Sequence, residues 1–144
     1  MKKPAAVREV LRQACPAFAA DPTKLSVFVD EGTVHCDGRV SLSHEYRYTL
    51  TIIAQDYSGD LHNIVVPLLA WLRLSQPEQF ENKDLRERMF AIEVELLSET
   101  TADVEIKLQL TERAIVTKAG DGTLHADYPG EPPHPELGES DQWP

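Results

Sequence analysis

The sequence predicts an α+β fold, a two-layer sandwich whose mixed or mainly antiparallel sheet is covered on one face by two helices. Three observations lead there. Several runs alternate strictly between apolar and polar residues, which gives a sheet one buried and one wet face. Two other segments repeat their apolar residues at spacings of three and four, the period of an amphipathic helix. A sheet that is apolar on one side needs only a single covering layer. The chain has 144 residues, the size of one domain, which buries roughly 70% of its unfolded surface. Residues 1–118 form that domain, and residues 119–144 form an acidic, Pro/Gly-rich tail expected to be disordered or extended.

In "PAAVREVLRQACPAF", Val7, Val10, Leu11, Ala14 and Phe18 mark one face of a first helix, with Pro4 in its first turn. "DPTK" breaks the chain, and "LSVFVDEGTVHC" reads as two short strands about an Asp30-Glu31-Gly32 turn, a hairpin. In "EYRYTLTIIAQDYSGD", Tyr46, Tyr48, Leu50, Ile52 and Ala54 share one side of a strand. Arg47, Thr49, Thr51 and Gln55 share the other, where Ile53 is the one apolar residue.

The second helix, "LHNIVVPLLAWLRLSQ", is apolar nearly all round. Leu61, Ile64, Val65, Leu68, Leu69 and Leu72 make one stripe, while Val66, Pro67, Ala70, Trp71 and Leu74 make a second apolar side. A two-layer subunit covers one side readily, so the other needs a neighbour, either the first helix or a protein partner. Pro67 removes a backbone donor at a cost of about 3 kcal/mol, which predicts a kink or a turn that restarts there. Further strands follow at Phe90, Ile92, Val94 and Leu96, opposed by Glu93 and Glu95, and at Val104, Ile106, Leu108 and Leu110, opposed by Glu105, Lys107 and Gln109. "SETTA" joins these two as an antiparallel hairpin, and "RAIVTK" reads as one more strand. The prolines, glycines and acids of "YPGEPPHPELGESDQWP" cannot bury enough apolar surface to offset chain entropy.

Charge and motif content narrow the function. A formal net charge of −10 argues against a sequence-independent grip on nucleic acid, which needs clustered Lys and Arg, and equally against an acidic partner surface. Cys15 and Cys36 form no C-x-x-C pair and read as buried free thiols. Arg8, Glu9 and Arg12 interrupt any apolar export signal. The apolar segment from Leu61 to Leu74 is shorter than the roughly 20 residues that span a bilayer. These features point to a soluble, reducing, cytoplasmic setting without a membrane partner.

The polar knot "QDYSGDLHN" admits two readings. Asp60 or Ser58 can cap the start of the second helix, or Asp56, Asp60 and His62 can act as the acid and base groups of a small enzyme. No nucleophile elbow or phosphate-cradling loop accompanies them, which favours capping. "HEYRY" begins like a zinc-binding H-E-x-x-H but has Tyr48 in place of the second histidine and alternates like a strand. No catalytic residue, metal or cofactor is expected.

Five segments in order, "DPTKLSVFVDEG", "SLSHEYRYTLTIIAQDYSGDL", "VPLLAWLRLSQPEQF", "LQLTERAIV" and "PGEPPHPE", resemble the phage tail completion protein R family of P2-like contractile-tailed phages. The resemblance covers about Lys3 to Pro133. It implies a non-enzymatic virion structural protein, a tail terminator ring that caps the tail tube and forms the head-joining surface. By analogy with tail terminators the ring is a hexamer. The partners implied are further copies of the chain, tail tube or sheath proteins, and head-connector proteins, met in the host cytoplasm and then in the virion. A head-to-tail ring needs two different patches. Trp71, Leu74 and Val66 are candidates for one; Glu93, Glu95, Glu105 and Lys107 on the wet sheet face, or Glu31 and Gly32, are candidates for the other. The alternative to a ring is a monomeric adaptor whose acidic tail binds a basic partner.

Overall fold

The computed structural model describes residues 1–129. The chain runs α1 (Lys3–Ala14), α2 (Pro16–Ala20), a 3-10 turn (Pro22–Lys24), β1 (Leu25–His35), β2 (His44–Tyr57), α3 (His62–Ser75), α4 (Pro77–Glu81), α5 (Lys83–Arg86), β3 (Phe90–Leu96), β4 (Ala102–Lys118) and β5 (Leu124–Asp127). Every strand pair is antiparallel, in the order β1-β2-β4-β3, with β5 paired to the far end of β4. The α+β class predicted from sequence is the one observed. Of the expected tail, β5 lies against β4 from Ile115 to Lys118; residues 130–144, Trp143 among them, are outside the described residues.

Alternation sets the core. Tyr48, Leu50, Ile52 and Ala54 of β2 are buried, and so are Val104, Ile106, Leu108 and Leu110 of β4. The register sets Leu50 against Leu108 and Ile52 against Ile106. Val7 and Leu11 of α1, Phe18 of α2, and Ile64, Leu68 and Leu72 of α3 close over them. Each fully buried Leu or Ile contributes about 1.5–3 kcal/mol, and a slip of one residue would turn this whole set to solvent.

The first helix is shorter than its apolar spacing suggests. Cys15 is extended (φ −121°, ψ 103°) because Pro16 disfavours the helical conformation of the residue before it, so Phe18 reaches the core from α2. The thiol then has a use. In α3, which continues through Pro67 without restarting, the proline withholds the N–H that Asn63's carbonyl would otherwise accept. The Cys15 Sγ donates to that carbonyl at 3.3 Å. Burial pushes the Cys15 pKa up, against a smaller lowering by Tyr57, and so keeps the thiol in its donor form.

Several expectations are corrected. Residues 25–35 are one strand, not a hairpin: Leu25–Asp30 and Thr33–His35 both pair with the 14-residue β2, and the Asp-Glu-Gly signal is a bulge between them, with Glu31 at φ 50°. "RAIVTK" continues β4 rather than starting a new strand, because no turn residue separates it from Leu110. The outer face of β2 is not fully wet. Thr49 and Thr51 are buried, since these short side chains sit on a central strand between larger neighbours, Thr51 between Phe28 and Lys107, and Thr49 donates to Gln109 Oε1 at 3.0 Å. On β3 the alternation is present but the burial is not: Ile92, Val94 and Leu96 are 43%, 40% and 79% exposed, because the core cluster reaches that strand only at Phe90. Cys36 is exposed, unlike Cys15.

One polar junction ties both layers together. Gln76, fully buried, accepts from the Thr111 N–H at 2.8 Å and from Lys3 Nζ at 2.5 Å, and it donates to Thr111 Oγ1 and to Glu78. Lys3 Nζ also reaches the carbonyls of Ser75 and Thr111. Beside it, Glu112 Oε1 accepts the backbone N–H groups of Lys2 and Lys3 at 2.7 and 3.2 Å. This caps α1 from another element, since Lys2 offers no side-chain cap. Tyr48 Oη donates to Glu112 Oε2 at 2.8 Å; burial, then this carboxylate, pushes the Tyr48 pKa up. Gln76→Leu leaves the Thr111 N–H without its acceptor and strips Lys3 of one, so urea unfolding should show a loss of about 1–3 kcal/mol.

Candidate functional site

The corner between β2 and α3 forms from three local constraints. A bulge separates the Ala54 and Tyr57 pairings, and Asp56 takes φ 51° within it. Its N–H donates to Asp103 Oδ1 at 2.8 Å, which ties the bulge to the start of β4. Tyr57 turns inward, stacks on Phe18 with ring centres 5.7 Å apart, and donates to the Asp60 carbonyl at 3.0 Å. Burial, followed by the nearby Cys15, pushes its pKa up to about 12. A Cβ on Gly59 would lie 2.5 Å from Tyr57 Oη, so any larger residue here forces the Tyr57 ring to shift.

Asp60 Oδ1 accepts the His62 N–H at 3.2 Å, the contact of a helix-capping carboxylate. Ser58 makes no such bond to α3. His62 Nε2 lies 3.9 Å from Asp60 Oδ1, with the two side chains 82% and 67% exposed. Asp56 is exposed and is tied to Asp103 through its backbone N–H, not through its carboxylate. The three residues therefore share a corner without forming an enclosed pocket, and no group of three or more metal-ligating side chains occurs among the described residues.

The wider surface is apolar in places where the sheet is open. β3 has a free edge, and beside it Ile92, Val94 and Leu96 stand exposed with Leu97. Its other face carries Glu93 and Glu95, next to Glu105 and Asp103 of β4; Lys107 Nζ lies 3.8 Å from Glu105. β1 is the opposite edge, with Phe28 and Val29 partly exposed, and Glu31 and Gly32 lie exposed in its bulge. The end of β1 presents Val34, and the β1–β2 connection presents Val40 and Leu42, with Val40 98% exposed.

On α3, the second apolar side is divided. Pro67 and Ala70 are buried and Trp71 is half-buried beside α1, while Val66 and Leu74 remain exposed. The first helix thus supplies much of the neighbour that the sequence called for. The apolar side chains on β3 were missed as surface features because their alternation is indistinguishable from that of a covered strand. Only the topology reveals that β3 lies beyond the helices.

Comparison with known proteins assigns this framework to a group. The family described as P2 phage tail completion protein R (GpR) matches residues 1–132. A relative, the tail completion protein R of Escherichia phage P2, is 38% identical over 136 residues, which span 94% of this chain and 87% of the relative. No solved structure matches the chain.

The corner's role as a packed bend has a direct check. Gly59→Ala should lower stability by about 1–3 kcal/mol as the Tyr57 ring is forced to shift. In contrast, His62→Gln at the exposed rim should change it by no more than about 0.5 kcal/mol, both read from urea midpoints.

Proposed function

Because the chain belongs to the P2 phage tail completion protein R family, whose members are structural proteins of the phage tail, we propose that it completes the tail as a ring. Copies join head to tail into a hexamer that caps the tail tube and presents the surface to which the head is joined. Tail tube or sheath proteins lie on one side of the ring and head-connector proteins on the other. Assembly takes place in the host cytoplasm, and the product is part of the virion tail.

The observation that supports the ring is the pair of open sheet edges, each lined with exposed apolar side chains. Head-to-tail closure brings two different patches together, whereas a two-fold contact brings one patch against itself. Glu93 and Glu95 already face Glu105 and Asp103 across the β3–β4 pair, and pairing β3 with a second β3 would add two more Glu to each side of that acidic strip, a further destabilisation by like charges. Pairing β3 with β1 of the next copy avoids this and adds main-chain hydrogen bonds. On β1 the bulge at Asp30–Thr33 interrupts the edge, so Leu25–Val29 is the stretch left for a neighbour. The corner residues Asp56, Asp60 and His62 have no catalytic part in this reading.

Replacing Ile92 and Val94 together with Lys tests it. Both side chains are exposed, so thermal unfolding of the subunit should stay cooperative and little changed. Association should weaken by roughly thirtyfold or more, the effect of losing one buried hot spot of about 2 kcal/mol. Rings that persist unchanged in this variant would remove β3 from the contact.

A further inference from the structure

Between α1 and α3 runs an apolar groove that the fold leaves uncovered, lined by Val10, Ala14, Pro67, Ala70, Trp71 and Leu74, with a volume of about 390 Å³. At one end it meets a second hollow of about 310 Å³, which shares Trp71 and Leu74 and adds Lys2, Lys3, Arg113, Tyr128 and Pro129. The described chain therefore ends inside the mouth of the groove. Its last residues are held there: Lys2 Nζ donates to the Tyr128 carbonyl at 3.1 Å, and the Tyr128 ring stacks on Tyr46 with centres 6.4 Å apart.

We propose that the α1/α3 groove is the docking site of the chain's own C-terminal segment, residues 130–144. Three properties of that segment match the groove. It carries Glu131, Glu136, Glu139 and Asp141 with no Lys or Arg, opposite a mouth where Lys2, Lys3 and Arg113 outnumber the one carboxylate, Glu112. Pro132, Pro133 and Pro135 favour an extended polyproline conformation, which docks on aromatic-walled grooves at little entropic cost, and Trp71 supplies such a wall.

Length also suffices. Fifteen residues span at most about 50 Å, whereas the 12-residue α1 is about 18 Å long. Leaving the fold at the mouth itself, the segment meets the groove at an effective concentration in the millimolar range, far above that of a neighbour's segment in dilute solution. The groove is then closed within one chain, and ring contacts fall to the sheet edges. This assignment stands independently of the ring.

Zero-length carbodiimide crosslinking of the full chain carrying Gln13→Lys reads the contact, because Gln13 lines the far end of the groove and is exposed. Peptide mass spectrometry should find position 13 joined to Glu136, Glu139 or Asp141 at least tenfold more often than the exposed Lys83 or Lys118 is joined to the same acids. In a mixture of 14N and 15N protein these crosslinks should be isotopically pure. Crosslinks shared evenly among the exposed lysines would overturn the proposal. Isotopically mixed products would overturn it as well, assigning the groove to the segment of a second copy. Neither result depends on whether rings form, so a failure here is separate from a failure at β3.

Discussion

The whole arrangement depends on the buried contact among Lys3, Gln76, Thr111 and Glu112. A helix layer can slide on an apolar sheet at little cost, because the hydrophobic effect is non-directional. The junction removes that freedom. Gln76 at the end of α3 hydrogen-bonds to β4 at Thr111, and Glu112, next along β4, receives the first N–H groups of α1. One point thus fixes the ends of both helices relative to the longest strand. Fully satisfied, such a network specifies a single packing; half-satisfied, it would be worse than an apolar core.

With the helices fixed there, their coverage is fixed too. They close over β1, β2 and β4 but stop at Phe90 on β3. The centre of the sheet is buried and packed, and its margins remain open and partly apolar. That division suits the proposed ring, in which each subunit would keep its own shape while offering its edges to other copies. The same logic separates two of the apolar regions of the surface. The β3 margin has a free backbone edge and suits a strand. The α1/α3 groove has no free backbone edge and suits an extended segment.

Much of this was legible in the sequence. Alternation in Tyr48–Ala54 and Val104–Leu110 placed the core face, and "SETTA" placed the β3–β4 turn, which closes with the Leu97 N–H on the Thr101 carbonyl. Asp60 emerged as a capping residue. What failed did so for reasons a local pattern cannot hold. The Asp-Glu-Gly stretch has turn chemistry, yet a β2 long enough to pair with both flanks makes it a bulge. Ile92 and Val94 look like core residues because burial depends on how far the helices extend, not on the strand. Cys15 read as an inert thiol because its role depends on the donor that Pro67 lacks, 48 positions away from Cys15 at Asn63. The interface residues proposed from sequence, Trp71 and Leu74, do share a surface, but its other wall is α1.

The most direct measurement is the solution mass of the full chain by light scattering across a dilution series, with negative-stain images of the same fractions. The account predicts a ring-shaped particle of six times the 16.2 kDa subunit, dissociating toward monomer on dilution. A monomer at every concentration that also fails to form rings when phage tail tubes are added would contradict it.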